Sequence, residues 1–248
     1  MNVWITGGSS GIGLALARHY AEAGHQVTVS ARPGPRLEAA MATLRPLGVH
    51  VEPLDVTDEA AVGEVVERIA ASRGPVDLAI LNAGTYEPIS AANFSSDKAR
   101  NLMEVNYFSV CHAFQALLPG FRARGKGQLA VMASIAGYRG LPYAGVYSAA
   151  KSATIRLCES LNPELRAAGL QLSVINPGFV KTPLTDRNDF PMPFLISAEE
   201  AAAKIAEGIA SGAFEIRFPR RMAWLMAFLT HLPYAAWFGL ARRMLRSP

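Results

Sequence analysis

Residues Asn2–Thr6 read as a short buried strand, and T-G-G-S-S-G-I-G follows at once at residues 6–13. Leu14, Ala15, Ala17, Arg18 and Tyr20 then open a helix. Strand, glycine turn and helix start in that order constrain the fold more than any other feature. Glycines let the backbone approach a pyrophosphate, and the helix N-terminus offers free N–H groups at a positive dipole end. Ser9 and Ser10 add hydroxyl donors. The spacing is T-G-x-x-x-G-x-G rather than G-x-G-x-x-G. The arrangement predicts a dinucleotide site built from Gly7, Ser9, Ser10, Gly11, Ile12 and Gly13.

Further strands are expected near residues 27–30, 50–54, 78–81, 128–133 and 170–176. These runs are nearly all apolar, as strands covered on both faces must be. Amphipathic stretches such as 36–47 and 58–73 lie between them. The alternation predicts one Rossmann-like, doubly wound parallel sheet with helices on both faces. Ligands of such sheets bind outside the carboxyl ends of the strands. Gly7, Arg32, Asp55, Asn82, Ser134 and Pro177 all fall there.

A second signal is Y-S-A-A-K at 147–151. Tyr147 and Lys151 stand four apart, so they share one helical face. An ammonium beside a phenol favours the tyrosinate and is expected to lower the phenol pKa from about 10. Such a phenol exchanges protons with a carbonyl or an alcohol near neutral pH. Ser134 ends a strand and can stabilise charge on a carbonyl oxygen. Asn106 lies in an apolar helical stretch, where a buried asparagine needs partners.

With N-A-G at 82–84, L-D-V-T around Asp55, E-V-N-Y around Asn106 and P-G-F-V-K-T at 177–182, these pieces resemble the short-chain dehydrogenase/reductase family over nearly the whole chain. The resemblance implies an oxidoreductase in which Asn106, Ser134, Tyr147 and Lys151 are catalytic. It also implies cofactor contacts from Asp55, Val56, Asn82, Ala83, Gly84, Tyr147, Lys151, Pro177, Gly178, Val180 and Thr182. Lys151 would hold the nicotinamide ribose, and Asn106 a water that relays protons to Lys151. After the second strand the chain has Ser30 and Arg32, with no carboxylate before Glu38. A guanidinium suits a 2′-phosphate, so NADP(H) is expected over NAD(H), with Arg36 assisting.

At 248 residues, half of them hydrophobic, the chain fits one large domain, with residues 1–218 catalytic. No signal peptide is expected ahead of the first strand, and the cytoplasm is the expected compartment. Cys111 and Cys158 read as reduced core residues, and no metal-ligand spacing is present. Residues 183–198 carry three prolines and should form an irregular, apolar lid with Phe190, Met192, Phe194 and Leu195. Pro163 is expected to kink or break a helix after the active-site helix, the one that packs between subunits in a dimer or tetramer. No nucleic-acid reading module accompanies the positive charge.

Residues 219–248 form an apolar, helical extension between Arg220, Arg221 and Arg242, Arg243, Arg246. His231, Pro233 and Tyr234 interrupt it, so a helix–turn–helix at a membrane surface fits better than a span. A subunit interface and a cover over the cleft are the rival readings. The expected function is hydride exchange between a nicotinamide and a carbonyl or secondary alcohol, of a hydrophobic or lipid-like substrate. The alternative is a cofactor-binding sensor or membrane-recruited scaffold with little turnover.

Overall fold

The computed structural model describes residues 1–187 and 190–245. Arg246 and residues 188–189 of the expected lid lie outside them. Seven parallel strands form one sheet: β1 (Asn2–Thr6), β2 (Gln26–Ala31), β3 (His50–Pro53), β4 (Leu78–Leu81), β5 (Gln128–Met132), β6 (Gln171–Pro177) and β7 (Glu215–Phe218). Their order is β3-β2-β1-β4-β5-β6-β7, which reverses direction between β1 and β4. Such a reversal opens a crevice at the carboxyl edge of the sheet.

Helices cover both faces. On one side α1 (Gly11–Glu22), α2 (Pro35–Leu44) and α7 (Ala198–Ala210) pack on the sheet through residues such as Leu16, Leu44 and Ile205. On the other lie α3 (Glu59–Arg73), α5 (Ser109–Arg124) and α6 (Gly145–Ala167), held by Val65, Phe114 and Ile155. The strands between them are buried along their length: every residue of β1 and β4 is buried. The apolar runs follow from that double cover. Cys158 is buried in the second of these layers, and both cysteines are free.

Helix α4 (Ser96–Met103) continues through a π-helical turn, Glu104–Phe108, into α5. Two short helices, α8 (Arg220–Thr230) and α9 (Tyr234–Arg242), form a C-terminal hairpin. Among the described residues no helix is long and apolar enough to cross a membrane.

Two local expectations change. Strand β7 was not foreseen, because E-I-R-F alternates polar and apolar residues instead of forming an apolar run. Pro163 neither breaks a helix nor follows the active-site helix: it lies inside α6, the same continuous helix that carries Tyr147. Cys158 and Leu165, buried on either side of it, hold the helix through the missing N–H bond.

Candidate functional site

The loop after β1 is shaped by what cannot fit beside it. Gly7 has φ +69°, a conformation side chains rarely adopt. A Cβ on Gly13 would lie 2.4 Å from the Gly7 carbonyl oxygen and 2.5 Å from Asn82 Nδ2. Helix α1 starts this close to β1 only without a side chain there. Asn82 Nδ2 donates to the carbonyls of Thr6 at 3.0 Å and Gly7 at 3.2 Å. The Thr6 hydroxyl accepts the backbone N–H groups of Asn82 and Ala83 at 3.0 and 3.1 Å. These bonds tie the loops after β1 and β4 together at the reversal of strand order.

Ser10 precedes α1 without capping it through its side chain, and no acidic residue sits in the first turn. The first N–H groups of α1 are thus left to an anion. This backbone cradle fits the phosphates of a dinucleotide. Arg32 and Arg36 are exposed beyond β2, and no described residue forms an ion pair with either. Ser30 is buried instead, its hydroxyl accepting from Trp4 Nε1 at 3.0 Å. Asp55 is exposed after β3, and its Oδ1 accepts from the N–H and hydroxyl of Thr57 at 3.0 and 2.8 Å. Val56 beside it is half-buried. A groove of about 550 Å³ between α1 and residues 181–186 lies to one side. It borders Gly11 and Thr182 but none of the four residues described next.

Asn106 occupies the π-helical turn, a wider turn that re-aims a side chain inside a helix. It is buried, and both hydrogens of its amide are used. Its Nδ2 donates to the carbonyls of Thr85 and Leu102, each at 2.9 Å, and its Oδ1 accepts from the Thr85 N–H at 3.2 Å. A Cβ on Gly84 would lie 3.0 Å from Asn106 Oδ1 and 3.6 Å from Lys151 Nζ. Both side chains therefore reach the same point beside the N-A-G loop.

Ser134 follows β5 and caps a 3₁₀ turn, Ile135–Gly137. Its hydroxyl accepts the Ala136 N–H at 3.1 Å and donates to the Pro177 carbonyl at 3.4 Å. Tyr147 stands in the first turn of α6, half-buried, its ring edge-on to Tyr86 with centroids 5.2 Å apart. One turn on, Lys151 is buried. Its Nζ donates to the Met132 carbonyl at 2.8 Å and lies 5.8 Å from the Tyr147 ring centroid.

The pair does not titrate as the sequence spacing suggests. Although the residue as a whole is half-buried, burial of its phenol group pushes Tyr147 up to about 12, opposed by the hydroxyl of Ser134 beside it. Burial likewise brings Lys151 down to about 8. The ammonium donates to the Met132 carbonyl, and desolvation is the dominant influence on both groups. At neutral pH the phenol is protonated and the amine mostly charged.

All four residues of the Asn–Ser–Tyr–Lys set come together at the carboxyl ends of β4 and β5. Pro177, Gly178, Val180 and Thr182 continue the rim after β6. Sequence reasoning missed Thr85, Tyr86 and Met132, two of which act through backbone atoms that carry no sequence signal. A cover over the cleft was among the readings of the extension, but not the residues that make it: a Cβ on Gly178 would lie 3.2 Å from Met222 Sδ and 3.3 Å from Ile135 Cδ1.

This sheet order, glycine loop and polar cluster define a dinucleotide-binding α/β protein. The family model for short chain dehydrogenase matches residues 1–190. An uncharacterized oxidoreductase of Myxococcus xanthus is 36% identical over 242 residues, covering 97% of this chain and 96% of that one. A short chain dehydrogenase/reductase from Burkholderia phymatum in complex with NAD superposes with a TM-score of 0.83 at 25% identity, covering 91% of each chain. A variant of actinorhodin polyketide ketoreductase with NADPH gives 0.79 at 25% identity, covering 88% of this chain and 95% of that one. The chain belongs to the short-chain dehydrogenase/reductase family of oxidoreductases. The two solved relatives carry different nicotinamide cofactors.

Proposed function

We infer that this chain is an NADP(H)-dependent reductase of apolar carbonyl compounds, working in reverse as a secondary-alcohol dehydrogenase. The observation that carries this reading is the convergence of Ser134, Tyr147 and Lys151 beside the glycine-built cradle. Residues 1–218 are read as the catalytic domain.

The cofactor would lie along Gly7, Ser9, Ser10 and Gly11–Gly13, with Asp55, Val56 and Asn82–Gly84 at its adenosine side. Pro177, Gly178, Val180 and Thr182 would frame its other end. When bound, it supplies or takes the hydride. The substrate oxygen then sits between two donors. The Ser134 hydroxyl holds Pro177 by a long bond of 3.4 Å, weak enough to be exchanged for a substrate oxygen. Tyr147, protonated at neutral pH, gives the proton as negative charge develops. The Lys151 ammonium stabilises the phenolate left behind. Asn106 holds the Thr85 backbone beside Lys151 and is the proposed anchor of the water that resupplies the proton.

Burial keeps the Tyr147 phenol in its proton-bearing form at neutral pH, at the expense of acid strength, and leaves very little phenolate to act as a base. Reduction should therefore hold a plateau on the acid side of about pH 8, where Tyr147 carries its proton and Lys151 its charge, and alcohol oxidation should rise as the pH climbs. Arg32, exposed after β2 and unpaired with any described carboxylate, supports the 2′-phosphate and hence NADP(H). Phe190, whose ring lies 5.9 Å from that of Phe179, and Met222 over Gly178 support an apolar substrate. Assembly into a homo-oligomer belongs to the same reading; peripheral contact with a membrane is proposed beside it and stands on separate observations.

The test is a Tyr147→Phe variant. It should bind NADPH as the parent does and lose ketone reduction by about a thousandfold. If the parent binds NADPH but oxidises it with no ketone, a cofactor-binding sensor becomes the better reading.

A further inference from the structure

The C-terminal hairpin lies beyond the residues matched by the family model, and its two faces differ sharply. The inner face is fixed. Ala223, Met226, Leu229 and Trp237 are buried with Ile135 of the turn after Ser134. Arg139, just beyond that turn, donates to the carbonyls of Thr230 at 2.6 Å and Leu232 at 3.1 Å. Its guanidinium also lies 5.2 Å from the ring centroids of both Tyr234 and Trp237. The hairpin is thereby latched to the loop that carries Ser134.

The outer face cannot fold inward while that latch holds. Trp224, Leu225, Phe228 and Phe238 remain exposed, Phe228 by 65%, and Tyr234, at the edge between the faces, is exposed by 72% while its ring meets Arg139. They follow helical rows: Arg220, Trp224 and Phe228 at intervals of four on α8, and Tyr234, Phe238 and Arg242 on α9. Each row ends in an arginine away from the turn. From Glu215 to Leu245 the chain carries five arginines and one carboxylate: Glu215 pairs with Arg217, whose guanidinium stacks on Trp224, and among the described residues no carboxylate pairs with Arg220, Arg221, Arg242 or Arg243.

We propose that the α8–α9 hairpin docks on an anionic lipid surface by this outer face while its inner face roofs the substrate cleft. Aromatic and aliphatic side chains enter the headgroup boundary, and the arginines meet lipid phosphates at its edge. At 1.5 Å per residue the helices are only about 16 and 14 Å long, so they lie in the interface and do not span it. A second copy is a poorer occupant: a two-fold contact sets arginine rows against arginine rows with no acid in the hairpin to answer them. Met222, at the root of α8, packs on Gly178 beside the proposed site, so docking brings the cleft to the lipid. The lipid-facing cleft rests on the apolar-substrate reading; the docking itself does not.

The experiment is flotation of the full chain with vesicles of equimolar phosphatidylglycerol and phosphatidylcholine, beside vesicles of phosphatidylcholine alone. The parent should float with the anionic vesicles and not with the neutral ones. A Trp224→Ser/Phe228→Ser variant, altered only at exposed positions, should bind at least about tenfold more weakly. Arg220→Glu/Arg242→Glu should abolish flotation. The serine variant should melt like the parent and reduce a water-soluble short-chain ketone at the parent rate. Failure of the parent to float, or equal flotation by the variants, overturns the proposal. So does a parent dimer in light scattering that Phe228→Ser dissociates. Flotation by a parent that reduces no ketone would instead sink the reaction reading and leave docking standing.

Discussion

Around Gly13 and Asn82 the chain leaves no room for one added carbon, whereas around Trp224 and Phe228 it leaves whole aromatic rings in solvent. The first region is fixed by backbone on all sides: loops after β1 and β4 hold each other through Thr6 and Asn82. The second is fixed on one side only, by Ile135 and Arg139 beneath it. A close-packed loop specifies what enters it atom by atom. A one-sided hairpin specifies a surface, and its selectivity comes from area and charge. The segment 134–139 holds Ser134 at one end and the Arg139 latch at the other, so it ties the hairpin to the Ser134 side of the site.

The sharpest way to break the comparison is at Gly13. Gly13→Ala places a Cβ against backbone that cannot retreat. NADPH affinity should fall by about a hundredfold or more, with a loss of about 2 kcal/mol in urea unfolding. An unchanged titration would mean that the cradle is not where the cofactor lies.

Lys151→Met tests the interior of the cleft in two opposed ways. Turnover should fall by about a hundredfold, while stability at neutral pH should rise. Lys151 has a folded value of about 8, below its ordinary 10.5, so the unfolded chain binds more protons between those values. The buried charge costs stability in full below pH 8, and that cost fades as the pH climbs toward 10.5. The gain from Lys151→Met should be about 1–3 kcal/mol near neutrality and smaller at about pH 10, read from urea curves at the two values. A variant less stable at both would show that the bond to Met132 outweighs the buried charge.

Arg32→Ala should weaken NADPH by about tenfold and leave NADH nearly unchanged. Equal effects on both would remove the 2′-phosphate argument. The smallest effect belongs to the hairpin. Arg139→Ala should lower the melting temperature by a few degrees through the lost carbonyl and ring contacts. NADPH affinity should stay within about twofold, since the contacts of Arg139 with Thr230, Leu232, Tyr234 and Trp237 involve no residue of the cradle. A large loss of cofactor binding would show that the two regions are one unit.

These regions also differ in how far they could be read before the fold was known. T-G-G-S-S-G-I-G, N-A-G and Y-S-A-A-K announce themselves because each residue type answers a steric or chemical demand at a fixed spacing. Six of seven strands were legible as apolar runs. Strand β7 was not, because it buries Ile216 and Phe218 while Glu215 and Arg217 stay half-exposed. The π-helical turn around Asn106 leaves no mark in the residue pattern. The direction of the Tyr147 shift is hidden for a related reason: spacing places Lys151 on the right face but says nothing of the burial that raises the phenol. The extension was recognised as helix–turn–helix, but its latch depends on Arg139, some ninety residues earlier in the chain. No local pattern connects them.

The central claim is that Tyr147 gives a proton to a carbonyl that NADPH reduces. The most direct measurement follows NADPH consumption by the parent and by Tyr147→Phe over a panel of short- and long-chain ketones, with cofactor affinity measured for both. Rapid consumption by the parent, greatest for long-chain ketones, and none by a variant that still binds NADPH is the predicted result. Equal consumption by the two proteins would contradict the claim.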